Sequence, residues 1–279
     1  MQLRKQIHRS DIAFFLAVVL FLLANLAAVG TAGRERAKRA VCLSHLKTLT
    51  QAWRQFADDH DGQLVNGAAG IDRPNDPAWV GRCWHSNFAG GLQLPEDVQR
   101  EEIRRGALWP YLEELNLYRC PSGYKGEMLN YTIVDAMYGL SRSGTSSGGG
   151  GARIGDTVLW IQNLNEIITP GADERMVFID EGWVAPDSFS THYRYEAWWD
   201  APPVRHNDGT TVSFADGHAE YWQWKGPDTI EHGRRNDRAL LSFNSRPQTP
   251  EGREDLHRLQ RAVWGRLGYE PTEQQLGVE

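Results

Sequence analysis

The sequence contains few cysteines and no excess of basic residues. Its 279 residues include three cysteines, Cys42, Cys83 and Cys120, and no two of them have Cys-x-x-Cys spacing. The absence of that spacing excludes a zinc ribbon and a thioredoxin-type redox motif. The formal net charge is −6, with both signs mixed along the chain. This argues against a nucleic-acid partner, because nucleic-acid-binding proteins carry a basic face.

Recognisable catalytic motifs are also missing. The sequence shows no Ser/His/Asp arrangement, phosphate-binding loop or spaced pair of acidic residues above the level expected by chance. We therefore predict a protein that is not an enzyme and that needs no cofactor for catalysis.

Proline is absent between Ser10 and Asp61, and the 21 residues from Ile12 to Ala32 carry no charge. A helix of that length rises by about 30 Å, the thickness of the hydrocarbon core of a bilayer. Beyond the basic patch Arg34–Arg39, apolar residues recur on one helix face, at Cys42, Leu46, Leu49, Trp53 and Phe56. The pattern predicts one continuous helix, with its first half in a membrane and its second half in a folded domain.

The apolar run has two other interpretations, a cleaved secretory signal and a soluble core helix. Basic residues precede the run, and Ala28-Val29-Gly30 is similar to a small-x-small cleavage site. The run exceeds the roughly 7–15 apolar residues of a signal, which favours a retained segment. Basic residues flank both ends, so they do not set the orientation. The prediction is a single-pass protein of the cell membrane, with its globular domain outside the cytoplasm.

The chain divides into five predicted segments. They are a cytoplasmic or cleaved leader at 1–11, a transmembrane helix at 12–32, the soluble half of the long helix at 33–62, a globular α+β domain at 63–225, and a charged extension at 226–279. Within the extension, apolar residues at helical spacing predict an amphipathic helix over Pro250–Leu267. The predicted fold class is α+β, with the long helix packed on an antiparallel sheet.

The clearest local prediction is a β-hairpin over Val204–Trp224. Asp216-Gly217 suits a two-residue type I′ loop, in which both central residues have positive φ. With that loop at the tip, Phe214 pairs with Ala219 and Val212 pairs with Tyr221. Those four residues then share an apolar sheet face, opposite a mostly polar face with Ser213, His218, Glu220 and Trp222.

Five blocks of sequence occur in an order that points to one family. His206 is followed by nine residues and then by Asp216-Gly217. The other blocks are the basic linker with Cys42-Leu-Ser-His-Leu-Lys47, the helix end at Phe56–Gly62, Leu108–Leu112 with Tyr118–Ser122, and Thr169-Pro170 with Phe178–Asp180. From about residue 7 to 225 the chain resembles pilin-like proteins with a prepilin-type processing-associated H-x9-DG domain, relatives of the type II secretion pseudopilins.

The resemblance implies a pilin-like fold and a structural role. The chain would be a membrane-anchored subunit of a type II secretion-type pseudopilus or filament, and its partners would be the membrane and other pilin-like subunits. Asp11 stands at the family's acidic position and is the assembly candidate. The family's Gly-Phe peptidase site is absent, because Gln6–Asp11 occupies the aligned place.

Two other functions are compatible with the sequence. One is a monomeric, membrane-anchored binding module that holds a polysaccharide or a protein on a tryptophan-rich surface. Its candidate residues are Trp183, Trp198, Trp199, Trp222 and Trp224, although packing in the core or as a lid over a small sheet is the more common role of such side chains. The weaker alternative is a metal-dependent hydrolase centred on His206, Asp216 and His218.

The residues of the H-x9-DG signature admit a structural and a metal-binding interpretation. In the structural one, His206, Asp216, Gly217 and His218 stabilise the hairpin and its turns. In the other, which the resemblance to pseudopilins implies, Ca²⁺ binds near the sheet. The acidic candidates for it are Asp180, Glu181, Asp208 and Asp216.

The cysteines admit a disulfide. Cys42 and Cys120 fall within blocks of the resemblance, and a bond between them would connect the loop region to the long helix. A Cys83–Cys120 bond and three reduced thiols are the alternatives.

Overall fold

The structure, a computed structural model, describes residues 9–85, 93–140, 153–181, 188–235 and 245–271. Its helices are α1 (Arg9–Asp59), α2 (Glu96–Arg105), α3 (Trp109–Leu112), α4 (Pro227–Arg235) and α5 (Pro250–Trp264). Its strands are β1 (Tyr131–Ile133), β2 (Arg153–Ile154), β3 (Thr157–Val158), β4 (Met176–Asp180), β5 (Gly209–Phe214) and β6 (Ala219–Gln223). Strands β1-β4-β5-β6 form an antiparallel sheet in that order, and β2 pairs with β3. The predicted α+β class is confirmed.

Helix α1 runs continuously for 51 residues, and one face of its second half is buried, as its sequence pattern predicts. Cys42, Leu46, Leu49 and Trp53 are fully buried on one face. The helix ends where glycine permits it: Gly62 has a φ of +82°, and its N–H donates to Ala57 O at 2.8 Å. The periodic stripe therefore identifies the part of α1 that packs in the core.

The membrane prediction is wrong. Among the described residues, no helix combines the length and the unbroken apolar character that crossing a bilayer requires. The prediction of a span at 12–32, and with it the single-pass location in the cell membrane, relied on the absence of charge over 21 residues.

Helices α1 and α5 cover opposite faces of the sheet. Thr50 of α1 donates from its hydroxyl to Ser213 Oγ of β5 at 2.7 Å. On β6, the guanidinium of Arg39 in α1 lies 4.1 Å from the ring centre of Tyr221, whereas Arg258 of α5 lies 3.8 Å from Trp222. Because consecutive strand residues point to opposite faces, these two contacts place the two helices on opposite sides.

The C-terminal segment contributes to this core. Leu256, Leu259 and Val263 of α5 are fully buried. The Thr249 hydroxyl caps the helix by accepting from Gly252 N–H at 2.9 Å, and Gly265 ends it with a φ of +80°. The amphipathic helix predicted over Pro250–Leu267 is present, and it packs with the rest of the domain.

The hairpin of β5 and β6 is present, but its register differs by one residue from the predicted one. Val212 pairs with Glu220 and Ser213 with Ala219, and Phe214 N–H donates to His218 O at 3.0 Å. The loop therefore has three residues. Gly217 has a φ of +102° and Asp216 is not left-handed, so the type I′ turn, which needs both, does not form. Phe214 consequently shares a face with His218 and Trp222, with its ring 4.4 Å from that of His218.

Replacing Gly217 by valine is expected to lower the free energy of unfolding by about 1–3 kcal/mol, because a β-branched residue tolerates positive φ poorly. A Cβ at this position would meet no atom within 4 Å, so the loss comes from the backbone alone. Gly217→Asn is the matched control and should cost less, because asparagine accepts left-handed conformations. Equal losses for the two variants in chemical denaturation would contradict the assigned turn.

Candidate functional site

Four chemically reactive side chains meet between α1 and the sheet. They are Cys42 of α1, Cys120 in the segment after α3, Asp180 at the end of β4, and His206 in the turn before β5. One ligand atom from each lies within 4.8 Å of all the others, and all four residues are buried. In the part of the chain that the structure describes, this is the one such group of three or more His, Cys, Asp or Glu residues. We call these four residues the thiol–carboxylate–imidazole cluster.

Local structure positions each member of the cluster. Cys42 belongs to the buried stripe of α1, and the N–H of Cys120 donates to Asn130 Oδ1 at 3.0 Å. Asp180 pairs with Tyr131 in the β1–β4 ladder, and the ring of Tyr131 contacts His45 of α1. The carboxylate is therefore on the sheet face that α1 covers.

An unusual turn places His206. His206, Asn207 and Asp208 are all left-handed, with φ of 48°, 66° and 62°, between two hydrogen bonds that join Arg205 and Gly209. The hydroxyl of Tyr221 donates to His206 O at 2.8 Å and to Asn207 O at 2.7 Å. The imidazole side chain is fully buried as a result.

The contacts within the cluster are close. Cys42 Sγ lies 3.0 Å from Cys120 Sγ, and Cys120 Sγ lies 3.4 Å from His206 Nε2. His206 Nε2 is also 3.3 Å from Asp180 Oδ2. On the far side of the ring, His206 Nδ1 is 3.5 Å from Ser122 Oγ, and Ser122 N–H donates to Cys120 Sγ at 3.4 Å.

These surroundings shift the pKa values of two members of the cluster, Cys120 and His206. The hydrogen bond from Cys42, burial and the Asp180 charge together hold the pKa of Cys120 far above its ordinary value. Burial lowers the pKa of His206, but the neighbouring Asp180 and Cys120 outweigh it and raise the pKa to about 9. Neither carboxylate oxygen of Asp180 has a hydrogen-bond partner among the described residues, although Oδ2 is within ion-pair distance of His206. Such burial without donors is costly for a carboxylate.

The cluster is capable of two kinds of chemistry. Two adjacent thiols can oxidise to a disulfide, and two sulfurs, an imidazole and a carboxylate can coordinate a metal ion. The structure contains three free thiols, with Cys42 beside Cys120. Cys83 is outside the cluster, where its Sγ is 3.8 Å from Gly81 O. The arrangement favours Cys42–Cys120 over Cys83–Cys120 as a disulfide pair, and that bond stays a prediction.

The other predicted site residues lie elsewhere. Asp216 Oδ1 accepts from His218 N–H at 3.0 Å and is 2.6 Å from His218 Nδ1, in the hairpin turn. Asp208 pairs with Arg234 at 2.5 Å. His206 and Asp216 flank the six-residue strand β5, which rises by roughly 20 Å. The signature therefore contributes to two places in the fold, and His206, Asp216 and His218 do not form a common site.

The four calcium candidates are also not brought together. Asp180 joins the two cysteines and His206, whereas Glu181, Asp208 and Asp216 belong to no ligand group among the described residues.

Sequence reasoning placed the cysteines in one hypothesis and Asp180 and His206 in two others. It also missed Ser122, which contacts both His206 and Cys120. The available signal was that Cys42, Cys120 and His206 all fall within blocks of the resemblance.

Three of the five tryptophans proposed for a binding surface pack inside the molecule. Trp198, Trp222 and Trp224 are almost fully buried, and Trp198 contacts Trp224 edge to face at 6.0 Å. Trp183 is outside the described residues. These three side chains therefore do not supply the exposed aromatic surface that the binding-module alternative requires.

Comparisons of the chain with protein families, curated proteins and solved structures find no match. The resemblance to the H-x9-DG pilin-like proteins therefore depends on the sequence blocks alone. It enters the functional argument as a hypothesis.

Proposed function

We propose that the protein is a pilin-like structural subunit that assembles with copies of itself through the first part of α1. The observation that carries this proposal is the contrast along α1. In residues 9–41, which we call the stalk, no described side chain is buried, whereas Cys42 begins the buried stripe. The stalk would be about 50 Å long as a helix. We call the sheet with its packed helices the head.

The described side chains in the first part of the stalk are exposed and apolar. Phe14, Phe15, Leu16 and Val18 have 73%, 66%, 54% and 39% of their surface exposed. Large exposed apolar surfaces on proteins commonly mark interaction sites, because burying them is favourable by roughly 25 cal/mol per Å². A surface that extends around a helix is well covered by parallel helices of the same kind.

A second copy of the chain is the occupant that we favour. Each copy presents the same helix, so a side-by-side arrangement buries equivalent surfaces and repeats without a second component. This agrees with the resemblance to pseudopilins, whose apolar helices form the core of an assembly. The thiol–carboxylate–imidazole cluster is buried behind α1, which suits a stabilising role better than contact with a substrate.

Self-association is expected to depend on the stalk. The full-length protein should sediment as a concentration-dependent series of oligomers and give a ladder of cross-linked species. The triple variant Phe14→Ser, Phe15→Ser, Val18→Ser should shift to the monomer, because it removes three exposed apolar side chains. Ile168→Ser is the matched control, since Ile168 is 57% exposed on the head, and it should leave the series unchanged.

Two outcomes would count against the proposal. One is a wild-type protein that stays monomeric at every concentration, as a solitary binding module would. The other is a triple variant that assembles as well as the wild type. Asp11→Ala is a separate test, because the resemblance makes Asp11 the assembly candidate. The side chain of Asp11 lies outside the described residues. A loss of oligomers in this variant would support the pilin-like arrangement.

A further inference from the structure

We propose that Cys42, Cys120, Asp180 and His206 bind one divalent metal ion, with zinc as the fitting element. The site goes beyond the proposed self-assembly, since it concerns how the head is stabilised. Its ligands come from α1, from the segment after α3, from β4 and from the turn before β5. An ion at this place would connect the start of the buried part of α1 to three separate parts of the head.

The spacing of the donor atoms fits a four-coordinate ion. Zinc–sulfur bonds of about 2.3 Å and zinc–nitrogen bonds of about 2.0–2.1 Å place tetrahedral ligand atoms roughly 3.3–3.8 Å apart. Cys120 Sγ and His206 Nε2 are 3.4 Å apart, and His206 Nε2 and Asp180 Oδ2 are 3.3 Å apart. The two sulfurs, at 3.0 Å, would separate by roughly 1 Å or less on binding.

Asp180 supplies independent support. Its side chain is fully buried, and neither of its oxygens has a hydrogen-bond partner among the described residues. A buried carboxylate is stable only when paired, hydrogen-bonded or bound to a metal ion. His206 Nε2 lies within ion-pair distance of Oδ2, at 3.3 Å, and Oδ1 has no partner among the described residues, so a cation between Asp180, His206 and the sulfurs would satisfy the carboxylate more fully.

Groups around the cluster match the outer environment of a metal centre. A histidine ligand typically uses its second nitrogen to contact a polar group that orients the ring. Here Nδ1 of His206 faces Ser122 Oγ at 3.5 Å, while Nε2 faces the cluster. The N–H of Ser122 donates to Cys120 Sγ at 3.4 Å, a contact that would stabilise a coordinated thiolate.

A metal ion uses the whole cluster, whereas a disulfide uses half of it. Oxidation of Cys42 and Cys120 would use only the two sulfurs and leave the buried Asp180 carboxylate with His206 as its one charged neighbour in the cluster. Coordination would convert both thiols to thiolates and leave His206 as a neutral imidazole, so that two thiol protons and the proton of a charged His206 would be released to solvent. Two thiolates, one carboxylate and a divalent ion sum to a charge of −1, the same as in a Cys3His zinc site.

Burial of all four ligands points to a structural centre. Catalytic zinc sites keep one position open to water or substrate, whereas structural sites are closed by four protein ligands. The exposed fraction is 0% for Cys42, Cys120 and Asp180 and 4% for His206. The inferred role is therefore to hold α1 in the head.

Cobalt titration tests the proposal on the full-length chain. Protein purified under reducing, oxygen-free conditions is stripped with a chelator and titrated with Co²⁺. Octahedral Co²⁺ in water absorbs only weakly, whereas Co²⁺ bound by thiolates absorbs strongly. We expect one Co²⁺ per chain, thiolate charge-transfer absorption and the intense visible bands of a four-coordinate site, all displaced by one equivalent of Zn²⁺.

Variants then locate the site. Cys42→Ser and Asp180→Asn should each weaken binding by at least tenfold, and the serine variant should also lose part of the charge-transfer absorption. Ser122→Ala should weaken binding by about 10- to 100-fold with the absorption retained, as expected for a positioning residue. Cys83→Ser is the matched control, because Cys83 is equally buried but outside the cluster, and it should bind like the wild type.

Three results would overturn the proposal. The first is a reduced wild-type protein that takes up no Co²⁺ or gives no thiolate absorption, a measurement that does not depend on any variant folding. The second is a Cys83→Ser variant that loses the absorption as Cys42→Ser does. The third is peptide mapping that shows a Cys42–Cys120 disulfide as the native form, together with no metal uptake after reduction. None of these results bears on self-association of the stalk.

Discussion

Replacing Trp53 by alanine is expected to lower the free energy of unfolding by about 3–5 kcal/mol, the usual cost of removing a fully buried aromatic side chain. Trp53 is fully buried on α1 and is among the largest side chains in the core. Its indole N–H has no hydrogen-bond partner among the described residues, so the loss comes from packing.

Two comparison variants sharpen this test. Trp53→Phe should cost clearly less than Trp53→Ala, because it keeps most of the apolar volume and gives up no hydrogen bond. Lys47→Ala lies on the exposed side of the same helix and should change stability by no more than about 0.5 kcal/mol. Equal effects of Trp53→Ala and Lys47→Ala in urea denaturation would show that α1 does not pack in the head as described.

Arg175→Met is expected to destabilise the protein by about 3–6 kcal/mol. Arg175 is fully buried, and its guanidinium donates to Val158 O at 2.9 Å, to Val263 O at 3.1 Å and to Leu159 O at 3.5 Å. These bonds join β3 and the end of α5 to the segment that enters β4. Each buried carbonyl left without a donor costs about 1–3 kcal/mol, which accounts for the size of the effect.

The control for Arg175 is an arginine with an exposed partner. Arg100 lies 3.6 Å from Glu96, and both side chains are more than 40% exposed. Such surface pairs contribute at most about 1 kcal/mol, so Arg100→Met should be close to neutral. A loss for Arg175→Met no larger than the loss for Arg100→Met would mean that α5 is not held to the core through Arg175.

Several features of the fold could be predicted from the sequence, because neighbours along the chain determine them. The stripe from Cys42 to Trp53 repeats with the period of a helix, and that face is the buried one. Gly62 and Gly265 mark the ends of α1 and α5, because few other residues adopt positive φ readily. The α+β class and the hairpin of β5 and β6 follow from the same kind of local pattern.

The hairpin register shows where local pattern was insufficient. Asp216-Gly217 is compatible with a two-residue and with a three-residue loop, and the two differ by one residue in register. Tertiary packing favours the three-residue loop. With that loop, Ser213 contacts Thr50 of α1, and Phe214 contacts Trp222 on the sheet face that α5 covers. A strand buried on both faces gives no alternation of apolar and polar residues by which to choose.

The sequence by itself determined the long helix, its buried stripe, its end just before Gly62 and the mixed fold class. The tertiary structure alone decided the register of β5 and β6, the burial of Trp222 and Trp224, and the meeting of Cys42 with Cys120, Asp180 and His206. Helix periodicity and turn preference arise between residues a few positions apart. The cluster joins residues up to 164 positions apart, from Cys42 to His206, and only the packing of α1 against the sheet brings them together.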